Sequence, residues 1–335
     1  MELKKALKRV VKMTSSARGE ALYRYIRFLP GEAESGIPPR VFARDLDCMS
    51  LIPVDRQVPN VFLDSTMLKK ALAEPGEWSM ELKGMGKTEI RVGEAEYKLH
   101  NIDYTSHPTF PDIPTEFKPV SGFDSILKVV HAASADRSEA FGMVNFADEW
   151  VEATDRSRFA RVYFPGFMKG LVPSRLFKNW PSGAVQVAVT PSSVFFLIGD
   201  ELRIAMFNNG KYPDTRNMLG ESPADGFILV ETDALVTAVK QATKVSPLNL
   251  ISLEFTDKGF GIAAWVEEDK PYSFWGSLDV VQKSNVVGKA LVSGKYLEQA
   301  LKPVITPNVV LRYGSPVDPL SVESGNYVAC IWQMQ

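Results

Sequence analysis

The stretch FDSILKVVHAASADR, at residues 123–137, places apolar residues at the three- and four-residue spacing of an amphipathic helix. Two similar stretches lie on either side of it, LKKALKRVVKMTS at residues 3–15 and TDALVTAVKQATKVS at residues 232–246. The intervals between the three stretches are far longer than the period of a solenoid repeat. The pattern therefore predicts three similar domains in tandem.

Each third of the chain carries a second helix pattern further along. These patterns are DSTMLKKALAEP at residues 64–75, PSRLFKNWP at residues 173–181 and SGKYLEQALKPV at residues 293–304. Each begins with Asp, Pro or Ser, the residue types that favour the start of a helix.

Between the helices the sequence has the alternating and β-branched pattern of strands. The predicted strand segments are residues 77–84, 88–102, 148–164, 249–266 and 308–314. Strands clustered between a few helices indicate an α+β fold with antiparallel sheets, rather than a parallel nucleotide-binding α/β fold.

Two similar motifs indicate the junctions between the domains. FPDIP lies at residues 110–114 and YPDTR at residues 212–216. Proline after an aromatic residue suits a junction, because it ends both helices and strands. We predict domains over residues 1–114, 115–221 and 222–335.

The composition of the 335-residue chain, with 45% hydrophobic residues and two cysteines, fits a globular protein with free thiols. The N-terminus lacks the apolar core of a signal peptide, so we expect a cytoplasmic protein. Residues 179–199 carry no charge, but Pro191 interrupts them and valines alternate before it. Two strands joined by a turn explain this segment better than a membrane span.

Basic residues are concentrated on the predicted helices, although the net charge is only -2. The first predicted helix winds its cations onto the face opposite Leu3, Leu7 and Val10. The cations of the later helices are Lys69, Lys70, Lys128, His131, Arg175, Lys178, Lys240, Lys244, Lys295 and Lys302. Two interpretations are open: ordinary solvated helix faces, or a surface that faces a polyanion such as DNA.

The sequence offers little support for catalysis. Its three histidines lack the spacing of a metal site on one helix. GMGKTE, at residues 84–89, lacks the first glycine of a phosphate loop, since Glu81 stands there, and a strand pattern follows it. Asp45, Asp47 and Asp155 could bind Mg²⁺, but aspartates of this kind more often stabilise turns. We expect no catalytic residue, no metal and no cofactor.

Several short segments, taken in their order and spacing, resemble the bacterial sliding clamp family, the β subunit of DNA polymerase III. They are FPDIP, EATDRSRFA at residues 152–160, VPSRLF at residues 172–177, GKYPDTRNML at residues 210–219 and NYVACIWQMQ at residues 326–335. The resemblance covers almost the whole chain.

The resemblance implies that two chains form a head-to-tail ring of six domains around duplex DNA, with helices inside and antiparallel sheets outside. Such a ring is a non-catalytic processivity factor, which contacts phosphates without sequence specificity. The DNA-binding residues would be Lys4, Lys5, Lys8, Arg9, Lys12, Arg18, Lys69, Lys70, Lys128, Arg137, Lys178 and Lys244.

The resemblance also implies a pocket between the second and third domains. It would bind short motifs of the replicative DNA polymerase, the clamp loader and other clamp-binding proteins. The matching residues are Thr154, Arg156, Arg158, Phe159, Pro213, Met218, Val328, Cys330, Ile331 and Trp332.

The sequence departs from the family at points that affect this pocket. Arg156 and Ser157 replace Gly-His, and Asn217 replaces an arginine. We therefore expect a different preferred peptide and a divergent clamp, as on a phage or mobile element. The chain also begins at the first helix, without the family's opening strand. The alternatives are a clamp-like adaptor or decoy that binds partner peptides without encircling DNA and, more distantly, a metal-dependent nucleic-acid enzyme.

Overall fold

The computed structural model describes residues 1–14, 25–32, 37–45, 47–82, 86–100, 111–133, 140–215, 226–257, 259–264, 275–284 and 286–334. Its helices are α1 (Leu3–Val10), α2 (Ser65–Ala73), α3 (Asp124–Leu127), α4 (Thr232–Val245) and α5 (Gly294–Leu301). Short 3₁₀ helices cover Val11–Met13, Val130–Ala132 and Ser174–Phe177. Of the helices in these ranges, none is long and apolar enough to cross a membrane.

Strands make up most of the regular structure. The strands before residue 121 are β1 (Tyr25–Leu29), β2 (Arg40–Arg44), β3 (Cys48–Pro53), β4 (Val61–Asp64), β5 (Trp78–Leu82), β6 (Lys87–Val92), β7 (Ala95–His100) and β8 (Lys118–Val120). The next are β9 (Met143–Phe146), β10 (Trp150–Thr154), β11 (Arg158–Tyr163), β12 (Gly170–Pro173), β13 (Val185–Val189), β14 (Ser193–Ile198) and β15 (Glu201–Met206). The last are β16 (Gly226–Glu231), β17 (Leu250–Thr256), β18 (Gly259–Ala264), β19 (Trp275–Leu278), β20 (Val280–Lys283), β21 (Gly288–Ser293), β22 (Asn308–Tyr313), β23 (Leu320–Ser324) and β24 (Tyr327–Ile331). The α+β fold predicted from the sequence is confirmed.

The chain forms two compact units. The first contains Met1–Ser121 and Arg175–Asn208, and the second contains Gly122–Ser174 and Asn209–Gln335. Residues of the predicted second domain are therefore found in both units. The three domains and their boundaries stay a prediction.

The first unit is built on an eight-stranded antiparallel sheet in the order β4-β1-β2-β3-β15-β14-β13-β8. The link between its halves is the pairing of β3 with β15, which sets Cys48 opposite Ala205. Helix α1 packs on β2 and β3 through Leu3, Ala6, Leu7 and Val10, all of which are buried. A separate sheet has the order β5-β6-β7.

The second unit repeats this plan. Its nine-stranded sheet has the order β12-β9-β10-β11-β24-β23-β22-β16-β20, and the link between its halves is the pairing of β11 with β24. A four-stranded sheet has the order β19-β18-β17-β21, and α4 packs against both α5 and this sheet. In both large sheets the third of four consecutive strands, β3 of β1–β4 or β11 of β9–β12, thus pairs with the last of three later strands, β15 of β13–β15 or β24 of β22–β24. We call the strand sets β1–β7, β8–β15 and β16–β24 the three repeats.

The repeat leaves two corresponding edges without a strand partner in the described ranges. Strand β7 ends the three-stranded sheet in the position that β15 and β24 hold in their repeats, and it pairs only with β6. Strand β19 corresponds to β3 and β11, and it pairs only with β18. In the same ranges β5 pairs only with β6, whereas its counterparts β13 and β22 also pair with β8 and β16.

Two helix patterns form less helix than predicted. The pattern at residues 123–137 gives α3 and the 3₁₀ helix Val130–Ala132, while residues 134–137 lie outside the described ranges. The pattern at residues 173–181 gives only Ser174–Phe177, because the chain leaves helical geometry at Asn179, where φ is 49°. The uncharged segment at residues 179–199 forms the predicted hairpin, β13 paired with β14.

Candidate functional site

Helix α1 presents the cations expected of a phosphate-facing surface. Lys5, Lys8 and Lys12 are exposed on the side opposite the buried apolar residues. The Lys12 Nζ donates to Asn179 Oδ1 at 3.2 Å, and the half-buried Lys4 donates to the Gly76 carbonyl oxygen at 3.2 Å. The exposed lysines thus form a basic strip along α1 and the 3₁₀ helix that follows it.

Arg9, also predicted to bind DNA, is held in an ion pair with Glu201. Glu201 is buried, and its Oε1 accepts from Arg203 Nε at 2.7 Å and from Ser50 Oγ at 3.3 Å. The Arg203 guanidinium also donates to the carbonyl oxygens of Leu176, Lys178 and Asn179. Arg9 therefore holds α1 against β15, and its charge is largely neutralised there.

The remaining predicted DNA-binding residues differ in exposure. Lys69 and Lys70 on α2, Lys178 and Lys244 are exposed, and Lys128 is half-buried. Arg18 and Arg137 lie outside the described residues. Exposed cations on later helices that the predicted set omits are Lys240, Lys295 and Lys302.

His131 does not add to the basic helix faces, and that expectation was wrong. Its Nε2 lies 2.8 Å from the Tyr327 hydroxyl, which donates to the Ala300 carbonyl oxygen at 3.0 Å. Burial, together with the positive charge of Arg158, lowers the pKa of His131 to about 3. The imidazole is therefore neutral at pH 7 and belongs to the interior of the second unit.

The pairing of β11 with β24 brings together most of the residues predicted for the peptide site. Arg158 lies opposite Ile331, and Phe159 lies opposite Cys330. Thr154 lies opposite Phe159 across β10 and β11. Two strands that are far apart in the sequence thus form one surface.

The members of this predicted set differ in accessibility. Phe159, Thr154, Cys330 and Ile331 are buried, whereas Val328, Trp332 and Pro213 are half-buried and Arg156 is exposed. Burial raises the pKa of the Cys330 thiol to about 11, which makes it a poor nucleophile. Met218 lies outside the described residues.

Arg158 is already engaged within the second unit. Its Nε donates to Asp155 Oδ2 at 2.9 Å, and its Nη1 donates to Gln299. Its guanidinium also lies 4.2 Å from the centre of the Tyr296 ring. Arg158 therefore ties β11 to helix α5.

A polar network beside these residues was missed from the sequence. Arg161 Nη2 donates to Glu152 Oε2 at 2.7 Å and to Thr215 Oγ1 at 3.0 Å, and Thr215 Oγ1 donates to Glu152 Oε1 at 2.9 Å. The nearby Tyr212 hydroxyl is buried, and desolvation, with Glu152 as a second cause, raises its pKa. Alternation along β10 could have placed Glu152 on the face of Thr154, but nothing local predicts its distant partner Thr215.

The aspartates considered as metal ligands are held by arginines instead. Arg175 contacts Asp45 Oδ2 at 3.1 Å and Asp47 Oδ2 at 3.0 Å, and Asp155 is held by Arg158. Within the described ranges no three His, Cys, Asp or Glu side chains are grouped as metal ligands.

Comparison of the coordinates with solved structures finds sliding clamps along nearly the full length. The clamp of Bacillus subtilis aligns with a TM-score of 0.79 and 17% identity over 99% of this chain and 97% of that chain. The polymerase III β subunit of Thermotoga maritima aligns with a TM-score of 0.77 and 15% identity over 100% and 97%.

The chain has the sliding-clamp fold. A third structure with this fold, the clamp of Pseudomonas aeruginosa bound to griselimycin, aligns with a TM-score of 0.74 and 15% identity over 99% of this chain and 97% of that one. No protein-family model matches the sequence, and no curated protein matches it. The sliding-clamp fold is therefore shown by structure, at a sequence identity too low to transfer individual residue roles.

Proposed function

We propose that this protein is a DNA sliding clamp, a non-catalytic processivity factor that encircles duplex DNA and tethers a DNA polymerase. The observation that carries the proposal is the alignment with known clamps over 99% of the chain. A clamp holds DNA by topology, so the protein needs no base-reading surface and no active site. The fold and the distribution of charge both support this function.

The lysines of α1 would contact DNA phosphates. Lys5, Lys8 and Lys12 are exposed on α1 and the 3₁₀ helix that follows it, and exposed lysines recur on α4 and α5. Contacts of this kind are independent of sequence and weaken as salt concentration rises. They suit a protein that slides along a duplex.

A second copy of the chain would close the ring. In each unit, the last strand of one repeat pairs with the third strand of another, as in β15 with β3 and β24 with β11. The corresponding edges left over are β7 and β19. We propose that β7 of one copy pairs with β19 of the other, twice, in a homodimer.

Charge supports the same pairing. A groove between α4 and β19 is lined by the exposed carboxylates of Glu231 and Asp233. Helix α2, which packs beside β7, presents the exposed cations Lys69 and Lys70. Opposite charges on the two surfaces favour their association and fix its register.

The surface formed by β10, β11 and β24 would bind peptide motifs of the replicative polymerase, the clamp loader and other partners. Thr154, Phe159 and Cys330 are adjacent in this sheet but buried, so a peptide would contact the half-buried Val328 and Trp332 of the same segment. Griselimycin is a useful probe because it binds the Pseudomonas clamp. The protein would act in the cytoplasm, where bacterial and phage DNA is replicated.

The test measures the mass of the protein assembly and asks whether its retention depends on the DNA being circular. Sedimentation velocity at several concentrations should show a dimer, and the dimer, assembled in the presence of a singly nicked circular plasmid, should stay bound through a salt wash. Cutting the plasmid should release it, because a ring slides off a free end. A dimer released equally from circular and linear DNA contradicts encirclement, while a monomer that binds griselimycin but not DNA supports the adaptor function.

A charge-reversed variant tests the inner surface. Changing Lys5, Lys8 and Lys12 together to Glu should abolish retention on the plasmid. The slope of the logarithm of the binding constant against the logarithm of the salt concentration should become shallower by the equivalent of roughly three phosphate contacts. The matched control changes three other exposed lysines together to Glu: Lys118, Lys169 and Lys211. Equal losses in both variants would contradict the assignment of α1 to the DNA surface.

A further inference from the structure

The turn between β10 and β11 is closed by several hydrogen bonds and carries backbone strain at Arg156. Its φ is 78°, in the left-handed region that non-glycine residues rarely adopt. The turn holds this conformation through Asp155 Oδ1, which accepts from the backbone N–H groups of Ser157 and Arg158, each at 3.1 Å. Thr154 Oγ1 also donates to the Arg158 carbonyl oxygen at 2.7 Å.

The Arg156 side chain differs from the other two arginines of this strand pair. Arg158 is paired with Asp155, and Arg161 is paired with Glu152. Arg156 is exposed, and no carboxylate of a described residue lies within 4.0 Å of its guanidinium. Its guanidinium instead lies 4.5 Å from the centre of the Phe141 ring, which limits its conformational freedom.

The turn adjoins the residues proposed to bind peptides. Thr154 immediately precedes it, and Phe159 follows it on β11. The backbone N–H of Trp332, which follows β24, donates to the Ser157 carbonyl oxygen at 3.0 Å, so the C-terminal segment is attached to the turn. A ligand on β11 and β24 would therefore end or pass beside the Arg156 guanidinium.

We propose that Arg156 is a specificity-determining residue, which selects partner peptides that carry an acidic side chain. This inference rests on the proposed function and names the chemistry of its peptide partner. A guanidinium offers five N–H donors in a planar fork that matches a carboxylate. Because the turn and the Phe141 ring already fix the guanidinium, little conformational entropy is lost when the carboxylate binds.

The experiment begins with peptides selected from a displayed library of random heptapeptides on the full-length protein. Each selected acidic peptide is synthesised with Glu or Asp and with the matching Gln or Asn. We expect wild-type protein to bind the acidic form about fivefold more tightly at low salt, as for an exposed charge pair, and the difference to shrink at high salt.

Two variants separate the charge from the backbone. Arg156→Gln removes the charge but keeps a side chain at the strained position, whereas Arg156→Gly also relieves the strain. Both should bind the acidic and neutral forms equally. The Tm of Arg156→Gln should be unchanged, and that of Arg156→Gly should be unchanged or higher. Asn249→Gly is the matched control, since Asn249 also has a positive φ of 56° but lies on a loop after α4. It should keep the acidic preference.

Each result has one meaning. If selected peptides bind wild-type protein with no preference for the acidic form, the inference is wrong while the peptide site stands. If selection yields no peptide that binds, the peptide-binding part of the proposed function fails first. If the Arg156 variants lose DNA retention and keep the peptide preference, Arg156 contacts phosphate and the inference is overturned.

Discussion

The turn at residues 45–48, between β2 and β3, and the turn at residues 155–158, between β10 and β11, occupy equivalent places in the repeat. We call them the first turn and the second turn. Each is closed by the same backbone hydrogen bond, from Asp45 N to Cys48 O at 2.8 Å and from Asp155 N to Arg158 O at 3.2 Å. Each lies beside the strand pair that joins two repeats.

The two turns use charge differently. In the first, Arg175 from a distant 3₁₀ helix contacts both Asp45 and Asp47. In the second, Asp155 is paired with Arg158 of the same turn, so the charge of Arg156 is left facing solvent. The same closing hydrogen bond thus adjoins a set of internal ion pairs in one unit and an exposed surface in the other.

The largest expected effect comes from removing the ion pairs of Arg175 at the first turn. Changing Arg175 to Met should lower the free energy of unfolding by about 2 to 3 kcal/mol, because it removes the guanidinium that contacts the buried Asp45 carboxylate and the Asp47 carboxylate. Changing Arg156 to Met at the second turn should alter it by less than about 0.5 kcal/mol, as for an exposed side chain. Urea unfolding measures both.

A double-mutant cycle supplies the control for this pair. Asp45→Asn combined with Arg175→Met should cost less than the sum of the single changes, because the two side chains contact each other and the double variant removes both charges of the pair. Equal sensitivity of the two turns, or additive effects at the first, would show that their charges are not used differently.

The effect of intermediate size is the response of stability to low pH. The pairing of β11 with β24 should be more sensitive to acid than the pairing of β3 with β15. The folded pKa of His131 is about 3, below its ordinary 6.5, because of burial and then Arg158. The neutral imidazole stabilises the fold fully above pH 6.5, and this stabilisation is lost as the pH falls toward 3. Between pH 7 and pH 5 the loss should be at most about 2 kcal/mol.

His131→Gln is the test variant, since an amide can still reach the Tyr327 hydroxyl. Chemical unfolding at pH 7, 6 and 5 should show a shallower pH dependence in the variant than in the wild type. Hydrogen exchange should locate the acid-induced opening at β11 and β24 rather than at β3 and β15. Identical pH dependence in the two proteins would show that His131 is not the responsible group.

The sequence was most informative where neighbouring residues decide the outcome. The helical spacing of Leu3, Leu7 and Val10 predicted the buried face of α1, and Pro191 with its flanking valines predicted the hairpin of β13 and β14. The order of motifs predicted the sliding-clamp fold. These features depend on periodicity and turn chemistry, which are local.

Long-range pairing was beyond this kind of prediction. Nothing near Arg9 in the sequence indicates Glu201, and nothing near His131 indicates Tyr327, so both were assigned to the basic helix faces. The peptide-site residues stay a prediction from the family resemblance, which did not indicate the network of Glu152, Arg161 and Thr215. A side chain's partner across distant strands is set by sheet register, which the tertiary fold determines.

The smallest expected effect is a difference in reactivity between the two buried thiols, Cys48 on β3 and Cys330 on β24. Burial raises the pKa of Cys48 to about 12 and that of Cys330 to about 11. At pH 8 the thiolate, which is the reactive form, is therefore rare at both sites and rarer at Cys48. Iodoacetamide followed by peptide mass spectrometry should show slow labelling of both, with Cys330 ahead of Cys48, and rapid, equal labelling in urea. Faster labelling of Cys48 would mean that the pairing of β3 with β15 opens more readily than the pairing of β11 with β24.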